Sequence, residues 1–141
     1  MPKASSKSVT AAPKPQDEKI TVNLGCVDLG QIDLLVQEGF YANRTDLIRT
    51  AIRNQLAVHA DVVKQSAARK TLVLGIQQFS ADELRAVQAA GQTLQIRVLG
   101  LAAIAPDVTP ELALATIESV VVLGALHAPP AVKAALASRI R

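Results

Sequence analysis

The sequence predicts an α+β protein in two parts, and three observations carry that prediction. Residues 18–25, EKITVNLG, alternate apolar and polar with period two, the pattern of a half-buried strand. From Val27 the period lengthens to that of helices, through two segments reaching about residue 68. Beyond residue 70 three apolar runs, TLVLGI, IRVLGL and VVVLGA, recur with glycines at 75, 100 and 124, and spacings of 25 and 24 residues mark an internal repeat. The predicted order is an arm over 1–17, one strand with two helices over 18–68, and a strand–helix repeat region over 71–141.

The composition narrows the chemistry. Of 141 residues half are apolar and 2% aromatic, so any core is built from Ala, Val, Leu and Ile. Residues 1–70 hold ten Lys/Arg against seven Asp/Glu, whereas 71–141 hold five of each, so the net charge of +3 lies in the N-terminal half. That asymmetry points weakly to a polyanionic partner. A single cysteine, Cys26, excludes an internal disulfide and any multi-cysteine zinc site. His59 and His127 lie far apart and read as surface or partly buried histidines, not as ligands; no metal and no cofactor is expected. No apolar run has membrane-span length and the N-terminus lacks a signal-peptide core, so the expectation is a cytoplasmic protein.

The elements follow in order. The arm, MPKASSKSVTAAPKPQD, has the composition of a disordered segment; Lys3, Lys7 and Lys14 either brush a phosphate backbone or merely solubilise it. In the strand, Ile20, Val22 and Leu24 share one face and Lys19, Thr21 and Asn23 the other. The first helix places Leu29, Ile32, Leu35 and Val36 on one side and stops at Gly39; Gly30 inside it costs roughly 1 kcal/mol relative to alanine. The second opens at NRTD with Asn43 as cap and Asp46 at the third position. Its apolar face runs through Leu47, Ile48, Ala51, Ile52, Leu56, His59 and Val63, with an end between Gln65 and Lys70.

Each later apolar run leads to a helix start: SADE, with Ser80 and Glu83 as a capping box; TPE, with Thr109 as cap and Pro110 in the first turn; and APPAVKAAL, again opened by proline. Parallel strands with helices on one face are expected, and the glycines read as tight strand ends. Three units leave a small sheet whose open edges favour self-association or docking to a partner.

A lone strand leaves its backbone N–H and C=O groups unpaired, which is costly where they are buried. Two copies can satisfy them by pairing their strands antiparallel across a two-fold axis. Ile20, Val22 and Leu24 then point into a shared dimer core, with Ile32 and Leu35 of the first helix and Ile48 and Ile52 of the second. Lys19, Thr21 and Asn23 project from the opposite face. A two-stranded ribbon fits the major groove, where Asn23 can pair with adenine, Lys19 with guanine, and Thr21 with a base edge or a thymine methyl.

KITVNLGCVDLGQIDLLVQEGFYANRTDLIRTAIRNQL resembles a ribbon-helix-helix domain of the Arc/MetJ/CopG type, over residues 18–57 and most specifically in GFYANRTDLIRTAIR. The resemblance implies a bacterial, homodimeric DNA-binding protein. It makes Lys19, Thr21 and Asn23 the base-reading positions, and Asn43, Arg44 and Thr45 the phosphate clamp at the start of the second helix. A helix N-terminus suits an anion, because its free N–H groups and partial positive charge face it. The link GCVDLG departs from the family in lacking its usual proline. Arg49 and Arg53 read as a solvated helix face, and Tyr41 as a turn and core residue.

No catalytic constellation is visible, so no enzymatic activity is expected. The function expected is a transcriptional repressor on double-stranded DNA, working at the nucleoid. The alternatives are a plasmid or chromosome partition protein, and an antitoxin or scaffold that uses the ribbon mainly to dimerise. For residues 71–141 the readings are, in order, oligomerisation or docking of a protein partner, effector sensing, and toxin neutralisation.

Overall fold

The computed structural model describes residues 17–141; the expected arm, with Lys3, Lys7 and Lys14, lies outside the described residues apart from Asp17. The described chain forms two compact units that divide between Lys64 and Gln65.

The first unit holds α1 (Cys26–Gln37), α2 (Arg44–Val58) and the start of α3 (Ala60–Arg69). The helix α1 ends as its glycine dictates. Gly39 takes φ +85°, its N–H donates to the Val36 carbonyl, and the Phe40 N–H donates to the Leu35 carbonyl. Asn43 caps α2 by accepting from the Asp46 N–H at 2.8 Å, while the Asp46 carboxylate accepts from the Ala42 N–H at 2.9 Å. The long second helix expected to reach Gln65 or beyond is instead two helices. At His59 (φ −100°, ψ 11°) the ladder tightens, the His59 N–H turning to the Leu56 carbonyl, and α3 restarts with the Val63 N–H on the His59 carbonyl.

The expected strand at 18–25 carries no regular element in the single chain. The physical reason is direct: a strand is defined by pairing, and among the described residues no other strand of the unit lies alongside to pair with it. Ile20, Val22 and Leu24 are 76%, 66% and 44% exposed. Neither α1 nor α2 contains a buried residue.

The second unit completes α3 and continues β1 (Val73–Phe79), α4 (Ala81–Ala89), β2 (Leu94–Ile104), α5 (Pro110–Thr116), β3 (Ile117–His127) and α6 (Pro130–Ala135), closing on a 3-10 turn, Ala137–Arg139. The strands form one parallel sheet in the order β1-β2-β3. Alternate residues of the strands, among them Ile96, Val98, Ala102, Ile104 and Val120, join Ala81 and Leu84 of α4, Leu112 and Ala113 of α5 and Val132 of α6 in one buried core. The helices therefore cover a single face of the sheet. The starts match the local chemistry: Ser80 and Glu83 exchange both bonds of a capping box, and Thr109 accepts from the Leu112 N–H at 3.2 Å.

The three glycines were expected at strand ends. They lie within the strands, in mutual register, Gly75 beside Gly100 beside Gly124. All have positive φ, +128°, +139° and +123°. A Cβ on Gly100 would run into the Gly75 carbonyl, and one on Gly124 into the Gly100 carbonyl, whereas Gly75 faces open space. Only glycine permits both the dihedral and the approach. In β2 the core residues Ile96 and Val98 before Gly100 and Ala102 and Ile104 after it share one parity, so the glycine does not turn that strand's face over.

Candidate nucleic-acid interface

Lys19, Thr21 and Asn23 are all exposed and alternate along the same unpaired stretch as Ile20, Val22 and Leu24. The stretch is thus two-sided in its chemistry. One set of positions carries aliphatic groups that water disfavours; the other carries an ammonium, a hydroxyl and a carboxamide, which hydrogen-bond well to base edges.

At the start of α2 the side chains divide their work. Asn43 spends its Oδ1 on the helix cap. The first-turn N–H groups of Arg44 and Thr45 lie ahead of the helix's own ladder, which begins with the Leu47 N–H on the Asn43 carbonyl. Arg44 turns back to α1, where its Nε and Nη2 donate to the two oxygens of Asp33 at 2.7 and 2.8 Å. This fork-on-carboxylate pair links the two helices. Its hydrogen bonds hold the Asp33 carboxyl below the usual carboxylate range against a smaller desolvation effect, and raise the Arg44 guanidinium further.

Sequence reasoning assigned Arg44 to phosphate and did not find Asp33. No local signal marks it: Asp33 lies on α1, eleven residues before Arg44, and the two meet only because the turn brings α1 and α2 together. Arg49 and Arg53 had been read as a solvated helix face. They line a shallow depression of about 390 Å³ with Ala42, Asn43, Thr45 and Asp46, so two guanidinium-bearing residues stand beside the free first turn.

The remaining expected positions spread through the same unit. Ile32 is half-buried, while Leu35, Ile48 and Ile52 are 37%, 38% and 48% exposed in the single chain. Cys26 is exposed, and among the described residues no three His, Cys, Asp or Glu gather as a metal would need. No helix is long and apolar enough to cross a membrane.

Neither a curated protein nor a solved structure matches the chain. One family model does, that of the ribbon-helix-helix transcriptional regulators, and it matches residues 15–133. The match begins just before the two-sided stretch, takes in both helices and the Asn43 turn, and continues through all three strands of the second unit. The chain belongs to the ribbon-helix-helix transcriptional regulator family.

Proposed function

We propose that this protein is a homodimeric, sequence-specific DNA-binding regulator and acts as a transcriptional repressor. Each copy contributes one strand, residues 18–25, to a two-stranded ribbon that enters the major groove. Lys19, Thr21 and Asn23 read base edges. The free first turn of α2, with Asn43, Arg44 and Thr45, sits against backbone phosphate. DNA as the partner puts its work at the nucleoid, in the cytoplasm.

One observation carries the reading. The first unit has no buried residue in α1 or α2, yet it exposes Ile20, Val22, Leu24, Leu35, Ile48 and Ile52. Burying apolar surface contributes about 25 cal/mol per Å², so a unit that leaves these side chains in water lacks the main source of folding free energy. A second copy supplies the missing half of the core and the missing strand together. Family membership supports the same reading, since ribbon-helix-helix regulators bind DNA and dimerise.

The test is fluorescence anisotropy against a pool of duplex DNA over a salt series, comparing the natural chain with a Lys19→Ala/Thr21→Ala/Asn23→Ala variant. The natural chain should select a site and lose affinity steeply as salt rises. The variant should keep weak salt-sensitive binding without site preference, because phosphate contacts position and base contacts specify. Equal, weak binding by both proteins would reassign the ribbon to dimerisation alone.

A further inference from the structure

The two edges of the parallel sheet are finished differently. At β3 the chain's last residues return to cover the edge at Val120, near its start. Ile140 bridges Val120 in parallel, and the Arg141 N–H donates to the Val120 carbonyl at 2.8 Å. Arg139 pins that return by donating from Nη1 to the carbonyls of Leu114 and Ile117 at 2.7 and 2.8 Å. Among the described residues the β1 edge has no such cover. Val73, Leu74 and Ile76 are 46%, 71% and 53% exposed, which leaves apolar side chains in water on both faces of the strand. Between Leu74 and Ile76 stands Gly75, where even an added Cβ would meet nothing within 4 Å.

Edge strands are normally blunted by lysine, proline or a covering segment. The seven residues of β1, VLGIQQF, contain no charge and no proline. Repeat proteins likewise need a capped end on each side. This chain covers the start of β3 with its own C-terminal residues, and among the described residues no segment covers β1.

We propose that the β1 edge is an interface between two copies of this chain, pairing β1 with β1 of the second copy across a two-fold axis. This goes beyond the DNA-reading ribbon and concerns the second unit alone; the tether that supports it rests on dimerisation through the first unit. Three observations favour a second copy over an unrelated partner. A strand can pair antiparallel with itself, so the edge is self-complementary without any further surface. An edge of seven residues is small beside the roughly 800 Å² per partner of a free-standing stable complex. It therefore needs its partner already held nearby. The chain supplies that condition, because only α3 and the Lys70–Leu72 turn separate α2 from β1. A second copy gripped through the first unit presents its β1 at a higher effective concentration than a free chain in solution would.

The experiment uses the full chain in a Cys26→Ser background, since Cys26 is the one natural thiol. Ile76→Cys marks the open edge and Ser138→Cys, exposed at the capped end, serves as control. Each is treated with a short bismaleimide and run on a denaturing gel, over a hundredfold range of protein concentration. The expected result is a covalent dimer with Ile76→Cys, formed at a rate independent of concentration, and little with Ser138→Cys. Absence of the 76-linked dimer, equal linkage at 138, or a rate that scales with concentration would overturn the pairing. Light scattering on the unmodified chain keeps the two readings apart. A monomer there defeats dimerisation itself, whereas a dimer without the 76 linkage defeats only the edge.

Discussion

The two units of this chain stand on opposite footings. Every buried residue among those described lies at Ala67 or beyond, and thirteen of them form a single cluster between the sheet and α4, α5 and α6. The unit up to Lys64 has α2 capped by Asn43 and α1 stopped at Gly39, and no buried side chain among its described residues. Local structure and tertiary stability therefore come apart in one molecule. Good caps, a Schellman turn at Gly39 and an inter-helix ion pair shape the first unit, but such terms each contribute about 1 kcal/mol, while a core contributes far more. The second unit carries its core within one chain. The first has none among its described residues, and on the function proposed above a second copy completes it.

That contrast can be broken from either side. The largest effect is expected from Gly100→Ala or Gly124→Ala, each of which drives a methyl group into a neighbouring strand's carbonyl at a positive φ. A loss of more than about 4 kcal/mol should unfold the second unit. Site-specific DNA binding by the first should survive in the same protein. Gly75→Ala meets open space and should cost only the dihedral, about 1–3 kcal/mol, in a circular dichroism melt. Equal losses at all three glycines would refute the stacked-carbonyl account.

Ile52→Asp attacks from the other side. A carboxylate at a position assigned to the shared core should cost about 3 kcal/mol or more through uncompensated burial in the dimer. It should abolish DNA binding and leave a monomer by light scattering, while the second unit keeps its melting transition. The same logic sharpens into a dilution series: the melting temperature of the first unit should fall on dilution, as for any fold completed by association. The transition of the sheet core, Leu84 to Leu136, should hold its temperature far better.

Thr71→Gly should be a small gain. Thr71 sits at φ +55° just past α3, its N–H bonded to the Ala68 carbonyl and the next N–H, of Leu72, to the Ala67 carbonyl, a helix stop that normally uses glycine. Glycine relieves the strain but loosens the unfolded chain, for a net rise of up to about 1 kcal/mol in denaturant unfolding.

Asp33→Asn should have the smallest effect at neutral pH, since both side chains of the pair remain about half exposed. Its pH dependence is still diagnostic. A carboxyl whose pKa is lowered by folding stabilises above its unfolded pKa, and that contribution is lost as pH falls through the folded one. The gap in melting temperature between the natural chain and Asp33→Asn should therefore close on acidification below the ordinary aspartate range. A gap that stayed constant to pH 2 would mean that Asp33 acts through something other than its charge.

The sequence was most legible where local chemistry decides the outcome. Asn43, Ser80 with Glu83, Thr109 with Pro110, and Gly39 all sit at the helix boundaries their side chains favour. Strand character was equally plain in the VLG runs, because covered parallel strands read as continuous apolar segments. Two things were hidden. The break at His59 interrupts an apolar face that continues in period on either side, so periodicity could not reveal it. The glycines of the repeat were conspicuous, but their role depends on which carbonyl lies beside them, and that is set by pairing between strands 24 and 25 residues apart. For the candidate interface, the alternation of residues 18–25 and the cap at Asn43 were readable. The Asp33–Arg44 fork was not, because it joins two helices across a turn and neither residue signals its partner.

The glycine row also constrains how such a chain can change length over time. A carbonyl from one strand occupies the space where the next strand's glycine lacks a side chain, so every unit must arrive at that row in step. The two intervals already differ by one residue, and the difference is absorbed elsewhere: the helices are of unequal length, and the register slips once, near Leu94 and Gln95, before the row is reached. Connections, helices and the first residues of a strand are thus free to gain or lose residues, as the slip near Leu94 shows, while an insertion between that slip and the glycine throws the rest of the ladder out of phase. A single added residue beside the glycine row is the change this sheet has least room to accept.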